Sequence, residues 1–349
     1  MTMELDRLEP ANYAVTVGAS GLPRELEVAM DRAGEFAKAE KALNTRRAYR
    51  SDFATFQTWC AARGVSALPA TAEIVGAFIG AEADRGVKAS TIGRRLAAIG
   101  YAHRLAKLPS PTEVEAVRAV MRGIRRTIGT AKAPKAPATN DRLLAMIASQ
   151  NLESRRTNQE VESPARDGAN DACVAMLRDK ALLLLGFAGA FHRSKLVALE
   201  VTDMKETAEG FFITIRGGKT DQERAGATVA VVRGSVACPV EALKTWLNAA
   251  DITEGAIFRR VNKAGRVLPD RLTAQSVALI VKAHAKRAGL DPRSFAGHSL
   301  RSGFLTSAAR RGASVFKMMD VSRHRRIDTL RIYVRDAELF HDHAGAGLL

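Results

Sequence analysis

The chain has 349 residues, 46% of them hydrophobic and 26% charged, so it can form two folded domains and is too apolar to be mostly disordered. Its formal net charge of +16 predicts a polyanionic partner, because uncompensated positive charge repels itself. The longest apolar run, Ala181 to Phe191, is too short to cross a bilayer, which argues against a membrane protein. We therefore expect a partner such as nucleic acid and, since no secretory signal opens the chain, a cytoplasmic location.

The first part of the chain is predicted to be helical after a weakly patterned start. Residues 1–38 indicate a tail with at most one short helix. Over residues 39–130, apolar positions recur at three- and four-residue spacing. The predicted helices run from Asn44 to Gly64, Thr71 to Arg85, Thr91 to Ala106 and Glu113 to Ile128. A capping box of Thr112 and Glu115 is predicted to open the last one.

A basic surface is predicted for this helical part. Between Arg85 and Lys135 there are twelve Lys and Arg residues against two carboxylates. The last helix has an apolar stripe from Val114 to Ile128 and a second, basic face. Charge runs are usually only solvated, but a bias that spans two helices favours contact with phosphates. The candidate DNA-binding residues are Arg94, Arg95, Arg118, Arg122, Arg125 and Arg126.

A proline-containing segment, residues 131–139, predicts a linker, because proline cannot continue a helix and restricts the residue before it. Residues 140–335 then indicate a mixed domain. Its predicted elements are helices at Asp141 to Ser149 and Ala172 to Ala190, strands at Phe211 to Ile215 and Ala227 to Val232, and helices at Pro239 to Ala249, Ala274 to Ala288 and Ser299 to Arg311. Residues 150–171 are polar and predict a flexible excursion. Residues 336–349 form a tail that packs on its own domain or docks on a neighbouring protomer.

The residues with the most telling chemistry lie near the end of the chain. His298 and Arg301 are three residues apart at a predicted helix start, and Tyr333 follows His324 by nine residues. Imidazoles, a guanidinium and a phenol could bind a phosphodiester, stabilise its transition-state charge and attack it with the phenolate. Each signal alone is weak, since a lone tyrosine more often packs in a core. Their order and spacing together indicate a phosphoryl-transfer site.

These motifs, and the pattern over about residues 40–340, resemble the tyrosine recombinase (phage integrase) family. The resemblance implies a mainly α fold with a small β-hairpin sheet. A helical core-binding domain and a mixed α+β catalytic domain would form a C-shaped clamp around double-stranded DNA. It also implies a 3′-phosphotyrosyl intermediate, no metal or other cofactor, a homodimer on each site and a homotetramer in the synapse.

The resemblance assigns a role to each candidate catalytic residue. Tyr333 would be the nucleophile and His298 would take its proton. Lys219, in the turn Gly217 to Thr220, would protonate the leaving 5′ hydroxyl, although a turn lysine by itself is usually only solvated. Arg301 and His324 would hold the phosphate oxygens.

Three positions differ from the family pattern. His192, with Arg193 adjacent, stands in the place of the first catalytic arginine. Lys195 replaces the usual glutamate, and Arg323 replaces the usual glycine before His324.

The histidine at position 192 leaves two hypotheses open. Arginine is permanently charged and can bond two phosphate oxygens, whereas histidine makes at most one such bond and is only partly charged at neutral pH. Loss of one such ligand commonly lowers the rate by about 10²–10³-fold. The chain is thus a working site-specific recombinase, or a DNA-binding partner that has kept the fold and lost efficient cleavage. A transcription regulator with an accidental Tyr333 constellation is disfavoured by the ordered motifs.

Overall fold

The computed structural model describes residues 24–41, 43–130, 134–159, 168–216 and 226–337, and in these it is mainly helical, as predicted. The predicted hairpin lies in a small antiparallel sheet, and a second, two-stranded antiparallel sheet was not predicted. The chain divides into two compact units, with the boundary between Ala133 and Pro134. No helix in the described ranges is both long and apolar enough to span a membrane.

In the described residues of the first unit, all regular secondary structure is helical. Phe53, Phe56 and Cys60 follow helical spacing and are all buried on one face of the second helix. Phe56 packs on Phe78 of the third helix with ring centroids 5.0 Å apart. The four predicted helices are confirmed, with small differences at their ends, and a helix of 16 residues precedes them in the segment that was expected to have at most one short helix. The helices of this unit are α1 (Arg24–Ala39), α2 (Leu43–Ala61), α3 (Ala72–Asp84), α4 (Ala89–Leu105) and α5 (Glu115–Ile128).

The start of α5 differs from the prediction. A 3-10 turn, Pro111–Glu113, precedes it, and the N-cap is Val114, which makes no side-chain cap bond. Thr112 Oγ1 instead lies 3.0 Å from Ser110 Oγ. The predicted capping box is therefore wrong, because a proline favours the first position of a helical turn and so starts a separate turn here.

The second unit surrounds a central apolar helix. The run from Ala181 to Leu185 is buried on every side of that helix, as a continuous apolar run requires. In the described residues, one sheet has three strands that lie side by side in chain order, and the other has two strands. The helices are α6 (Asn140–Gln159), α7 (Gly168–Ala188), α8 (Arg193–Leu196), α9 (Pro239–Ala249), α10 (Ala274–Arg287), α11 (Ser299–Arg310), α12 (Val315–Ser322) and α13 (Ile327–Ala337). The strands are β1 (Met204–Glu206), β2 (Gly210–Ile215), β3 (Ala227–Val232), β4 (Arg259–Val261) and β5 (Val267–Arg271).

Helices α6 and α7 extend into the segment that was predicted to be a flexible excursion. Helix α6 continues to Gln159, and α7 already begins at Gly168. The prediction is wrong for these residues, because a polar sequence without proline or glycine, as over 150–159, is compatible with a helix. Residues 160–167 lie outside the described part of the chain.

The segment that leads into α6 is bonded to the helix that carries much of the site. The Ala138 amide donates to the Ser299 carbonyl at 2.8 Å. A Cβ on Gly303 would lie 1.9 Å from the Ala138 carbonyl oxygen, so only glycine permits this close approach. The start of α11 is therefore fixed by backbone contacts.

Candidate active site

The predicted nucleophile and base are brought together by α11 and α13. His298 immediately precedes α11, and Tyr333 lies in α13. A small apolar cluster that includes Leu305, Met318 and Leu330 packs the last three helices against each other. As a result, His298 Nε2 and Tyr333 Oη lie 3.0 Å apart, within hydrogen-bonding distance.

The protonation states of this pair suit a proton transfer. Burial lowers the pKa of His298, and the charge of Arg301 lowers it further. Burial raises the pKa of Tyr333, and Arg301 offsets part of that rise. At neutral pH both groups are therefore mostly neutral, and in the tautomer that carries its hydrogen on Nδ1 the imidazole Nε2 accepts from the phenol O–H. A neutral base in contact with a nucleophile is the arrangement that nucleophilic catalysis needs.

Arg301 is buried beneath this pair and is held in place by its backbone acceptor. Its Nη1 donates to the Ala190 carbonyl at 2.6 Å, where the chain leaves α7 with a positive φ of 46°. Burial, and secondarily the charge of Arg323, lowers the pKa of Arg301 to about 10, so it remains charged at neutral pH. Its Nε is buried and has no hydrogen-bond partner among the residues that the structure describes. This N–H is a donor that an anion could use.

His324 is oriented by Ser322. The Ser322 hydroxyl donates to the Met318 carbonyl at 2.6 Å and lies 2.7 Å from His324 Nδ1. Because a hydroxyl has one hydrogen, Nδ1 must be the donor to Oγ, which leaves Nε2 to accept from Arg301 Nη2 at 3.3 Å. Burial, followed by the charge of Arg301, lowers the pKa of His324 to about 4. A bound phosphate would raise that pKa, since an opposite charge favours the imidazolium.

His192, rather than Arg193, enters the cluster. The His192 ring stacks on that of His298, with centroids 5.9 Å apart and an interplanar angle of 29°. Burial, followed by the charge of Arg301, lowers the pKa of His192 to about 4. Arg193 is exposed, and its stem runs along Gly297, where an added Cβ would lie 3.0 Å from Arg193 Cδ. His192 is the N-cap of α8, with φ −67° and ψ 139°, and Arg193 is its first helical residue, so the two side chains leave the backbone in different directions.

Lys219 lies outside the described residues. The strands that flank its turn are antiparallel, and their last pair is Ile215 with Ala227. Arg216 follows directly, and its Nε donates to Asp203 Oδ1 at 2.6 Å.

The candidate DNA-binding arginines fall into two groups. Arg94 forms a fork with Asp52, with bonds of 2.5 and 3.1 Å. Arg95 pairs with the fully buried Glu82 and lies 3.8 Å from Asp52. The other four are exposed on α5, although Arg122 pairs with Glu115; they are Arg118, Arg122, Arg125 and Arg126.

Sequence reasoning missed two contributors to the site. Ser322 was not singled out, and its role depends on the turn at Arg323, which has a left-handed φ of 60°. The Ala190 carbonyl carries no sequence signal at all, since every residue has one. Arg323 was noted only as a replacement for glycine.

The chain matches known protein families over most of its length. Residues 166–339 match the phage integrase family, and residues 36–108 match the phage integrase N-terminal SAM-like domain. The chain is 37% identical over 309 residues to the integrase/recombinase xerD homolog of Selenomonas ruminantium, covering 87% of this chain and 85% of that protein. It is 24% identical over 298 residues to the recombinase cre of Escherichia phage P1, covering 81% of each.

Solved structures show the same fold. A crystal structure of the XerH site-specific recombinase bound to its difH substrate matches with a TM-score of 0.58 at 15% identity, over 97% of this chain and 95% of that one. A lambda integrase dimer bound to a COC′ core site matches with a TM-score of 0.52 at 15% identity, over 93% and 91%. The sequence matches favour a working recombinase over a partner that has lost cleavage. The chain therefore belongs to the phage integrase family and is a tyrosine recombinase, an enzyme that cleaves and rejoins DNA at specific sites.

Proposed function

We propose that Tyr333 is the nucleophile of this recombinase and that it forms a 3′-phosphotyrosyl intermediate with duplex DNA. The observation that carries the proposal is the 3.0 Å contact between Tyr333 Oη and His298 Nε2. In the cleavage step, a bond forms between Oη and phosphorus while the bond from phosphorus to the 5′ oxygen breaks. The phenol proton passes to His298, and Lys219 donates a proton to the leaving 5′ oxygen. Attack by a 5′ hydroxyl on the same ester reverses the step and rejoins the strand.

The remaining site residues hold the phosphate. Arg301 supplies a permanent charge and a buried Nε–H without a partner. His324 and His192 lie beside it and become better donors when an anion raises their pKa. The phosphotyrosyl ester keeps the energy of the broken bond, so this step needs no metal ion and no nucleotide cofactor.

Covalent trapping tests this proposal. The protein is incubated in chelator with nicked, fragmented DNA from its source organism, denatured in detergent, and assayed for protein–DNA adducts. We expect adducts from the unaltered protein and none from Tyr333→Phe, because the phenol oxygen is the bonding atom. Tyr101→Phe is the matched control and should still form them. Adducts that survive Tyr333→Phe would contradict the assignment, and sequencing of the attached ends identifies the target site.

We propose further that a homodimer occupies each site, that two dimers form a homotetramer in the synapse, and that the reaction takes place in the cytoplasm. The domains at residues 39–130 and 140–335, joined by a linker at 131–139, would clamp the DNA. The dimer in the related lambda integrase structure supports the first step of this assembly.

The C-terminal tail is the proposed docking segment; residues 338–349 lie outside the described part of the chain. Deleting them should abolish cooperative binding to paired half-sites and preserve binding to one half-site, which a gel-shift titration measures.

A further inference from the structure

Arg323 has a backbone conformation that is unfavourable for its residue type. Its φ of 60° and ψ of 37° lie in the left-handed region, which glycine adopts readily and other residues rarely. The turn is needed because α12 ends at Ser322 and the chain must place His324 beside Arg301. Glycine would make this turn without strain, so the turn itself does not explain an arginine.

The guanidinium of Arg323 is buried and lacks partners for two of its nitrogens. Nε and Nη2 are inaccessible to solvent and make no hydrogen bond within the described residues. The guanidinium carbon lies 5.4 Å from the ring centre of Phe191. Burial lowers the pKa of Arg323 to about 10, so the group is still charged at neutral pH. A buried charge with unfilled donors destabilises a protein unless an anion binds to it.

The charge of Arg323 lies close to the active-site cluster. Burial lowers the pKa of His192, Arg301 and His324, and the charge of Arg323 lowers each of them further. The ring under the guanidinium, Phe191, directly precedes His192 in the chain. Arg323 also directly precedes His324, so a guanidinium lies beside the cluster that has no arginine at position 192.

We propose that Arg323 is a catalytic residue that binds non-bridging oxygens of the scissile phosphate and supplies the guanidinium that position 192 lacks. With Arg301 it provides two permanent charges and three buried donor nitrogens, Nε of Arg301 and Nε and Nη2 of Arg323. His192 then makes a secondary contact, which explains how a member of this family can work with histidine there. The inference rests on the proposed reaction at Tyr333.

The first test compares single-turnover cleavage rates at saturating DNA, on the site recovered from the Tyr333 adducts. We expect Arg323→Gly and Arg323→Met each to slow cleavage by about 10²-fold, the usual effect of losing one such donor group. Arg325→Ala removes the same charge from an exposed position two residues away and should change the rate by less than about twofold. A normal rate in Arg323→Gly would overturn the proposal.

A second test separates a catalytic role from a structural one. In a DNA site whose scissile phosphate is replaced by methylphosphonate, one negative oxygen is lost and one compensating cation becomes dispensable. The rate difference between the unaltered protein and Arg323→Gly should then shrink to about threefold or less. A role in folding or turn geometry predicts the same difference on both substrates, and that result would overturn the proposal.

The third test moves the guanidinium. Adding His192→Arg to Arg323→Gly should restore cleavage to within about tenfold of the unaltered protein, because the double variant again has a second guanidinium at the cluster. Failure of this exchange would overturn the equivalence of the two positions.

If the unaltered protein forms no Tyr333 adduct, the proposed reaction fails and the role of Arg323 fails with it. If adducts form and Arg323→Gly cleaves normally, only the role of Arg323 fails.

Discussion

The arginines of the first unit and those of the active site are placed in opposite electrostatic environments. In the first unit, Arg94 is hydrogen-bonded to Asp52, and Arg95 forms an ion pair with the buried Glu82. In the active site, Arg301 and Arg323 have buried N–H groups that find no acceptor, and no carboxylate pairs with either arginine, among the residues that the structure describes. Carboxylates therefore neutralise these arginines of the first unit, and none neutralises the two active-site arginines within the described residues.

This difference shows that the same side chain has two uses. A buried arginine paired with a carboxylate holds helices together, and losing one partner leaves an uncompensated charge. A buried arginine without a carboxylate weakens the fold and is retained because a substrate anion completes it. The comparison therefore predicts which variants damage stability, which damage rate and which damage DNA affinity.

The largest effect on stability is expected from Glu82→Gln. Glu82 is fully buried, accepts from Arg85 Nη1 at 2.9 Å and pairs with Arg95. Removing its charge leaves Arg95 with only the more distant Asp52, so the free energy of unfolding should fall by about 3–5 kcal/mol in urea titrations. Glu115→Gln breaks an exposed pair with Arg122 and should have little effect. Equal losses in the two variants would contradict this reading of the first unit.

The pH dependence of cleavage is expected to follow His298. Because its folded pKa lies below the ordinary 6.5, the imidazole stays neutral, and able to accept a proton, to lower pH than a free histidine. With DNA below its dissociation constant, the cleavage rate should stay level down to pH 6.5 and then fall by about tenfold per unit below the pKa. A rate that already declines between pH 8 and the ordinary histidine value would show that another group is limiting.

A smaller effect is expected from Arg126→Ala on α5. Arg126 is exposed, and if it binds a phosphate its loss should reduce the slope of log affinity against log salt by about 0.9. Arg94→Ala should leave that slope nearly unchanged, because Asp52 already neutralises the charge. Filter-binding titrations over a range of salt concentrations measure both. The reverse order would place Arg94 at the DNA.

The helices and the order of the catalytic motifs could be predicted from sequence because both depend on local spacing. Phe53, Phe56 and Cys60 form a buried face simply by recurring every three or four residues. His298 and Arg301 reach the same side of α11 for the same reason.

Pairing between distant residues could not be predicted in this way. Arg94 was assigned to DNA from local charge bias, whereas its partner Asp52 is 42 residues away and on another helix. The burial of Arg323 depends on a left-handed turn and on Phe191, which spacing does not reveal. The catalytic and DNA-binding roles of all the predicted site residues, Arg94 and Arg95 included, stay predictions.

We expect the buried arginines that have no carboxylate partner to serve the reaction, and the arginines paired with a carboxylate to serve the fold. Arg301→Ala and Arg95→Ala each remove one positive charge, one from each group of arginines. Single-turnover cleavage at saturating DNA and urea unfolding, measured for the two variants, distinguish the two roles. We predict that Arg301→Ala lowers the cleavage rate by about 10²–10³-fold. Arg95→Ala should cleave at the normal rate once folded and should lower the free energy of unfolding. If Arg95→Ala, shown to be folded, slowed cleavage as much as Arg301→Ala, the division between the two groups of arginines would be contradicted.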